Sequence, residues 1–224
     1  MKTKHVNIEL TRTCNQRCFY CSNPDRDRVE LDYTEWLRII KDTNATSVHL
    51  TGGEPLLYKD LINLINELHS LDINISILTN GSVPKLLKNN KGVFQKLKTI
   101  QVSLDSVNSD THDRRRGFSG AHDKALDTIL FCRDTTIETH VSMVVDYSTV
   151  SGIDEMVVFC KENGLKLVLR PLAILGRSNT CFSDTLQIDT TDIVIPDKFG
   201  YGAKSFGNHI QQLTLSPEGN SVSY

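Results

Sequence analysis

The sequence has no long apolar run, and nothing in it approaches the roughly 18 consecutive apolar residues that a membrane-spanning helix needs. Met1-Lys2-Thr3-Lys4-His5 leads straight into a strand-like stretch without the apolar core of a signal peptide, so the expectation is a soluble, cytoplasmic protein. A dominant charge is also missing. With 25 basic residues against 27 acidic ones, the formal charge of -2 excludes a global field that recruits nucleic acid or an anionic membrane, and leaves only a local patch open. The 6 cysteines are not evenly spread, which argues against a secreted disulfide framework and for a reducing interior. At 224 residues, with 39% hydrophobic and 23% charged side chains, the chain can bury a full core as one domain with an appendage.

What is present is Cys14-Asn15-Gln16-Arg17-Cys18-Phe19-Tyr20-Cys21, directly after the strand-like run Val6-Asn7-Ile8-Glu9-Leu10. Such a segment reaches at most about 26–29 Å when extended, so one short loop can wrap its thiols around a single metal centre. Soft thiolates select zinc, copper(I) or an iron-sulfur cluster. A closed zinc site needs a fourth ligand, and no second Cys-x-x-Cys or nearby His-x-x-x-His supplies one. An iron-sulfur cluster normally takes four cysteines, so Cys14, Cys18 and Cys21 would leave one iron open to a non-protein ligand. On these cysteines alone, a zinc or plain structural role stays open.

The rest of the chain reads as alternating strands and helices. Val6 to Thr11 is a first strand, and Asp32 caps a helix that buries Trp36, Leu37, Ile39 and Ile40. Ser47 to Thr51 is a second strand running into Gly52-Gly53-Glu54-Pro55, followed by Leu61, Leu64, Ile65 and Leu68 at helical spacing. Ile73 to Leu78 is a third strand ending in Thr79-Asn80-Gly81, with a short helix from about Pro84. Thr99 to Leu104 is a fourth strand that ends in Asp105. Ala121 to Cys132 is helical, Ile137 to Val145 a strand, Ile153 to Asn163 a helix closed by Gly164, and Leu165 to Arg170 a sixth strand. Six such units predict parallel strands with right-handed crossovers in an α/β fold, a partial (βα)6 TIM-like open barrel, with ligands at the carboxyl ends of the strands. Residues 1–172 form this domain. Residues 173–224 break the pattern: Thr180 to Thr191 is polar, Gly200 to Gly207 is loop-like, and Ile210 to Leu215 with Ser221 to Tyr224 reads as a β-hairpin appendage.

The spacing Cys-x-x-x-Cys-x-aromatic-Cys, with Tyr20 before its last cysteine and Gly-Gly-Glu-Pro at Gly52 to Pro55, resembles the radical S-adenosylmethionine (radical SAM) superfamily over about residues 5–172. The resemblance implies that Cys14, Cys18 and Cys21 hold a [4Fe-4S] cluster whose open iron takes the amino and carboxylate groups of S-adenosylmethionine. One electron, delivered by a donor such as flavodoxin or ferredoxin, then releases a 5'-deoxyadenosyl radical that removes hydrogen from substrate. Gly52 and Gly53 let the backbone approach a ligand, Glu54 is expected to accept from an ammonium group, and Pro55 opens a helix. Tyr20 is expected at adenine or packed under the loop. Val102-Ser103-Leu104-Asp105 with His112-Asp113-Arg114-Arg115-Arg116-Gly117 resembles the branch of peptide-modifying enzymes with a SPASM extension, which assigns Ser103 and Arg116 to the methionine carboxylate. At least one of the three arginines is expected to be solvated. Thr79, Asn80, Ser142 and Arg170 also read as strand-end residues, each open to a ligand or a structural role, with Ser142 counted among the cofactor contacts. Asp105 contacts substrate or orients the loop.

Cys132 and Cys160 fall in helical patterns and read as small core residues, while Cys181 reads as a loop cysteine, a hydrogen-atom donor or a ligand to a second centre. The close of the chain resembles the start of a SPASM or twitch extension, yet no cysteine follows Cys181 to hold an auxiliary cluster. The expectation is a single-cluster radical SAM enzyme acting on a peptide or a small natural-product or nucleotide substrate. The alternatives are a non-catalytic iron-sulfur or SAM-binding module, sensing included, and an activase of a partner enzyme.

Overall fold

Strand β1, His5–Thr11, buries Ile8 and Leu10 and exposes His5, Asn7 and Glu9, the two-residue period of a strand with one face on a core. The computed structural model describes residues 5–22, 24 and 30–172, together with the short strands 194–195, 204–205, 213–215 and 221–223. Two compact units emerge from it, one made of residues 1–15, 25–102 and 124–139, the other of residues 16–24, 103–123 and 140–224.

In the first unit, β1 pairs in parallel with β2 (Ser47–Gly52), β2 with β3 (Asn74–Thr79), and β3 with β4 (Thr99–Ser103). The register aligns Ile8, Leu50, Ile77 and Ile100 across the four strands, and all are buried. Helix α1 (Tyr33–Thr43) starts at a capping box in which Asp32 accepts from the Thr34 and Glu35 amides at 2.8 and 3.0 Å. Helix α2 (Leu61–Ser70) buries Leu61, Leu64, Ile65 and Leu68, as their spacing predicts. The helix expected from Pro84 is divided at Asn90 into α3 (Pro84–Asn89) and α4 (Lys91–Phe94).

The second unit holds a helix the periodicity does not announce, α5 (Ser109–Arg116). Its sequence is almost wholly polar, and its ends define it instead. Asn108 accepts from the Thr111 amide at 2.9 Å, Asp110 lies in the first turn, Arg114, Arg115 and Arg116 fill the last, and Gly117 takes the left-handed conformation beyond it. Helix α6 (Ala121–Arg133) follows, with residues 124–133 belonging to the first unit, and strand β5 (Glu138–Val145) pairs in parallel with β6 (Lys166–Pro171) across helix α7 (Ile153–Glu162). The sheet runs β1-β2-β3-β4-β5-β6 in chain order, so the six parallel strands form an unclosed sheet of the partial-barrel kind the alternation predicts.

Past residue 172, β7 (Val194–Ile195) pairs antiparallel with β8 (Lys204–Ser205), placing a short strand where a loop is expected. The expected hairpin is present as β9 (Leu213–Leu215) and β10 (Ser221–Ser223), and β9 also pairs antiparallel with β6. Thr180 to Thr191, with Cys181, lies outside the described residues. Among the described residues no helix is long and apolar enough to cross a membrane.

Strand β2 ends against the backbone of β1's exit. Gly52 has φ +132°, and a Cβ there would fall under 3.0 Å from the Thr11 carbonyl oxygen, while one on Gly53 would lie 2.7 Å from the Arg12 carbonyl oxygen. Both glycines are therefore required by the close passage of the chain itself. Gly52→Ala is expected to lower unfolding free energy by about 2–4 kcal/mol in urea titration, from steric overlap and backbone strain. Gly92→Ala, with nothing within 4 Å of the added Cβ, is expected to be neutral or to stabilise by up to about 1 kcal/mol.

Candidate functional site

The first unit delivers Cys14 at the end of a stapled backbone. The Gly53 amide donates to the Thr11 carbonyl at 2.6 Å and the Glu54 amide to the Thr13 carbonyl at 2.8 Å, so the Gly-Gly-Glu-Pro segment fixes the last residues before the cysteine. Glu54 is fully buried. One carboxylate oxygen accepts from the Thr79 hydroxyl at 2.6 Å and the Leu56 amide at 3.0 Å, and the other accepts from the Asn80 amide at 2.7 Å. Pro55 opens the 3-10 turn Pro55–Leu57 beside it. The carboxylate thus ties the end of β2 to the end of β3 and sets the backbone of Asn80. The Asn80 side chain donates from Nδ2 to Asn15 Oδ1 at 3.0 Å and to Cys14 Sγ at 3.7 Å, and accepts from the Ser82 amide at 2.9 Å. Asn15 in turn donates to the Ser82 hydroxyl at 2.8 Å.

The second unit organises Cys18 around Asp105, whose side chain is fully buried. Its Oδ1 accepts from Arg116 at 3.1 Å and from the Val144 amide at 3.0 Å, and its Oδ2 accepts from the Tyr20 hydroxyl. The other arm of the Arg116 guanidinium reaches Cys18 Sγ at 3.9 Å, and Arg116 Nε is buried without a hydrogen-bond partner. Arg115 lies 3.6 Å from Asp105 through its Nε but sends its terminal nitrogens elsewhere: it pairs with Asp146 at 2.9 Å, donates to the Ser148 hydroxyl at 2.6 Å, and lies 4.9 and 5.0 Å from the ring centres of Phe19 and Tyr20. The loop backbone is clipped to the last turn of α5, the Arg17 amide donating to the Arg116 carbonyl at 2.9 Å. Two aspartates and two arginines share this buried network, so its formal charges cancel, the condition under which buried ions are tolerated.

Burial alone would raise the Asp105 carboxyl, but Arg116, then Arg115 and His112, hold it below the usual carboxylate range. Burial would lower Arg116, and the opposing charge of Asp105 instead carries it above the usual arginine range. Burial raises the Tyr20 phenol well above its ordinary value, so it stays a neutral donor. His112 is pushed down to about 3, by burial first and the Arg116 charge second. Its Nδ1 accepts from the Asp105 amide at 3.0 Å, which places the proton on Nε2.

Most sequence-predicted residues fall into these two networks. Ser103 is the last residue of β4 and half-buried. Ser142 is buried within β5, three residues before the strand's end, and its carbonyl accepts from the Leu104 amide at 2.8 Å. Arg170 lies in β6, where burial lowers its pKa. Of the arginine triplet, Arg115 and Arg116 are buried. Cys132 and Cys160 are buried in α6 and α7, and burial pushes the Cys132 thiol up to about 12 and raises Cys160 as well. Sequence pattern alone does not single out Asn15, Ser82, Asp146 or the hold of His112 on Asp105. For Asn80 the signal was its place directly after a strand.

Cys14, Cys18 and Cys21 are half-buried and form no disulfide. Among the described residues no group of three or more His, Cys, Asp or Glu side chains stands as a ready-made ligand set. A sequence profile of the Radical SAM superfamily matches residues 8–160. The chain belongs to the radical SAM superfamily. That membership implies S-adenosylmethionine and an iron-sulfur cluster, and the residues fit both: soft thiols with N–H donors on Cys14 and Cys18, and a buried, unpaired Arg116 Nε–H suited to an anionic ligand.

Among this radical SAM chain's relatives, a PqqA peptide cyclase of Rhizobium meliloti (strain 1021) is 29% identical over 155 residues, covering 66% of this chain and 41% of that protein. An S-adenosylmethionine-dependent nucleotide dehydratase of Selenomonas ruminantium is 32% identical over 113 residues, covering 47% of this chain and 40% of that one. Among solved structures, Streptococcus suis SuiB bound to precursor peptide SuiA shares the fold with a TM-score of 0.67 at 23% identity, over 77% of this chain and 40% of that one. The chain therefore spans about two fifths of the length of these relatives.

Acid should unfold the protein through His112. Its native pKa of about 3 lies below the ordinary 6.5, so the unfolded chain takes up the proton first and stability falls as pH drops from 6.5 toward 3. The slope from this group is about 1.4 kcal/mol per pH unit. Urea unfolding between pH 6 and 4 should be flatter by that amount in His112→Asn, while acid loss through Asp105 persists below pH 3.8.

Proposed function

We propose that this chain is the radical-generating part of an enzyme that cleaves S-adenosylmethionine reductively and removes hydrogen from a peptide substrate. The observation that carries the reading is the cysteine loop itself, with Cys14 and Cys18 each under a fixed nitrogen donor within the matched family region. The relative named a PqqA peptide cyclase supports a peptide as the substrate class. Cys14, Cys18 and Cys21 would hold a [4Fe-4S] cluster, which with S-adenosylmethionine supplies a 5'-deoxyadenosyl radical on one-electron reduction.

The chain's own residues bind and orient. Gly52, Gly53 and Pro55 hold the turn beside the cluster loop. Glu54 fixes that turn and Asn80 through its buried carboxylate, and the segment would meet the methionine amino group. Arg116, with its open Nε–H, and Ser103 would meet the methionine carboxylate, a role that suits a guanidinium. Tyr20 has its hydroxyl committed to Asp105 and its ring packed against Phe19, Arg115 and Arg116, which leaves its backbone for an adenine contact. Ser142 would contribute from within β5. Residues 1–172 make this domain and 173–224 an appendage. The electron comes from a donor such as flavodoxin or ferredoxin in a reducing cytoplasm, since a low-potential cluster needs both.

A second reading replaces the peptide with a nucleotide, on the likeness to the nucleotide dehydratase. Anaerobic reconstitution followed by dithionite and S-adenosylmethionine is expected to give about four irons per chain and 5'-deoxyadenosine, both lost in Cys18→Ala. Four irons without product under any substrate would leave a binding module. Deuterium passing into 5'-deoxyadenosine from labelled peptide supports the first substrate class, and from labelled nucleotide the second.

A further inference from the structure

Arg116 spends its guanidinium in an unusual way. A buried arginine that only neutralised Asp105 could lay both terminal nitrogens on the carboxylate in a fork. Here one arm donates to Asp105 at 3.1 Å and the other to Cys18 Sγ at 3.9 Å. Its neighbour Arg115 supplies the contrast, because its terminal nitrogens go to Asp146, Ser148 and the Val144 carbonyl.

The position of Arg116 is fixed from several sides. Asp105, which holds it, is itself held by the Val144 amide and the Tyr20 hydroxyl. The Arg116 carbonyl accepts from the Arg17 amide, one residue before Cys18. The Tyr20 ring lies 5.5 Å from the guanidinium. The side chain is 7% exposed, so its charge acts with little screening by water.

We infer that Arg116 is the electrostatic partner of cluster ligand Cys18 and that Asp105 is the positioning residue that holds it there, so that the pair sets the cluster's reduction potential. This rests on the radical SAM reading above. Reduction adds negative charge to the cluster, and a fixed cation beside one of its thiolates favours the reduced state and raises the potential. Arginine does not lose its proton, so the effect persists at every working pH. Lysine carries the same charge as a point on a flexible stem and cannot bridge carboxylate and sulfur together.

The test is a redox titration of the anaerobically reconstituted protein without S-adenosylmethionine, followed by electron paramagnetic resonance, with iron counted in each variant. Leaving out S-adenosylmethionine separates this role from any contact with its carboxylate. Arg116→Gln is expected to move the midpoint to more negative potential, with Arg116→Lys in between. Asp105→Asn removes a buried anion, which by itself raises the potential, and also releases Arg116, so its rise is expected to be smaller in the wild-type background than when the same substitution is added to Arg116→Gln.

An Arg116→Gln protein with full iron and an unchanged midpoint overturns the inference and leaves the radical SAM reading intact. An Asp105→Asn rise of equal size in both backgrounds overturns the positioning role. If Arg116→Gln does not load iron, Arg116→Lys decides, and a midpoint equal to the wild type overturns the proposal. A wild-type protein that takes up no iron overturns both the proposal and the reading beneath it.

Discussion

The buried pairing of Asp105 with Arg116 is the constraint on which the second unit depends. Asp105 sits two residues after β4 and gathers donors from three places: the last turn of α5, the cysteine loop and the end of β5. No one of these segments could bury its polar group alone without a desolvation cost of several kcal/mol per ion. Together they satisfy one another, so the loop carrying Cys18 and Tyr20 takes its shape only when helix and strand are in place. The same dry setting strengthens every charge in it.

Glu54 has the matching task in the first unit with different chemistry. Its partners include two backbone amides and a hydroxyl, and it transmits position to Cys14 through the side chain of Asn80. A motif that reads in the sequence as a ligand cradle is thus, in its own fold, a brace between strand ends. Its two glycines are needed because the main chain of β1's exit passes against them. A cradle and a brace are compatible, since a rigid turn is what a bound group requires.

The strands and most helices could be read from sequence because their apolar residues recur at the right period, as in Ile8 and Leu10 or in Leu61, Leu64, Ile65 and Leu68. The cysteine spacing likewise marked the site. Helix α5 could not be found that way, because it buries His112, Arg115 and Arg116 in place of apolar side chains. Burying charge is favourable only where long-range partners wait, and Asp105 and Asp146 come from other parts of the chain. Of the triplet, Arg114 is exposed, as expected of at least one, while the partners of Arg115 and Arg116 lie 10 residues or more away in places that pattern reading does not connect. The motif around Gly117 singles out Arg116, but the pairing of Arg115 with Asp146 has no sequence signal.

The pairing of β9 onto β6 carries a consequence for solution behaviour. A parallel strand as apolar as Lys166–Pro171, which buries Leu167, Val168 and Leu169, would otherwise present a row of unpaired amides and carbonyls to any passing chain. The short antiparallel hairpin occupies that row along Leu167 to Leu169 and hands the margin on to β10, a strand of three residues. It serves as a selvedge along Leu167 to Leu169: an apolar strand that would invite edge-to-edge pairing is covered by a partner from its own chain.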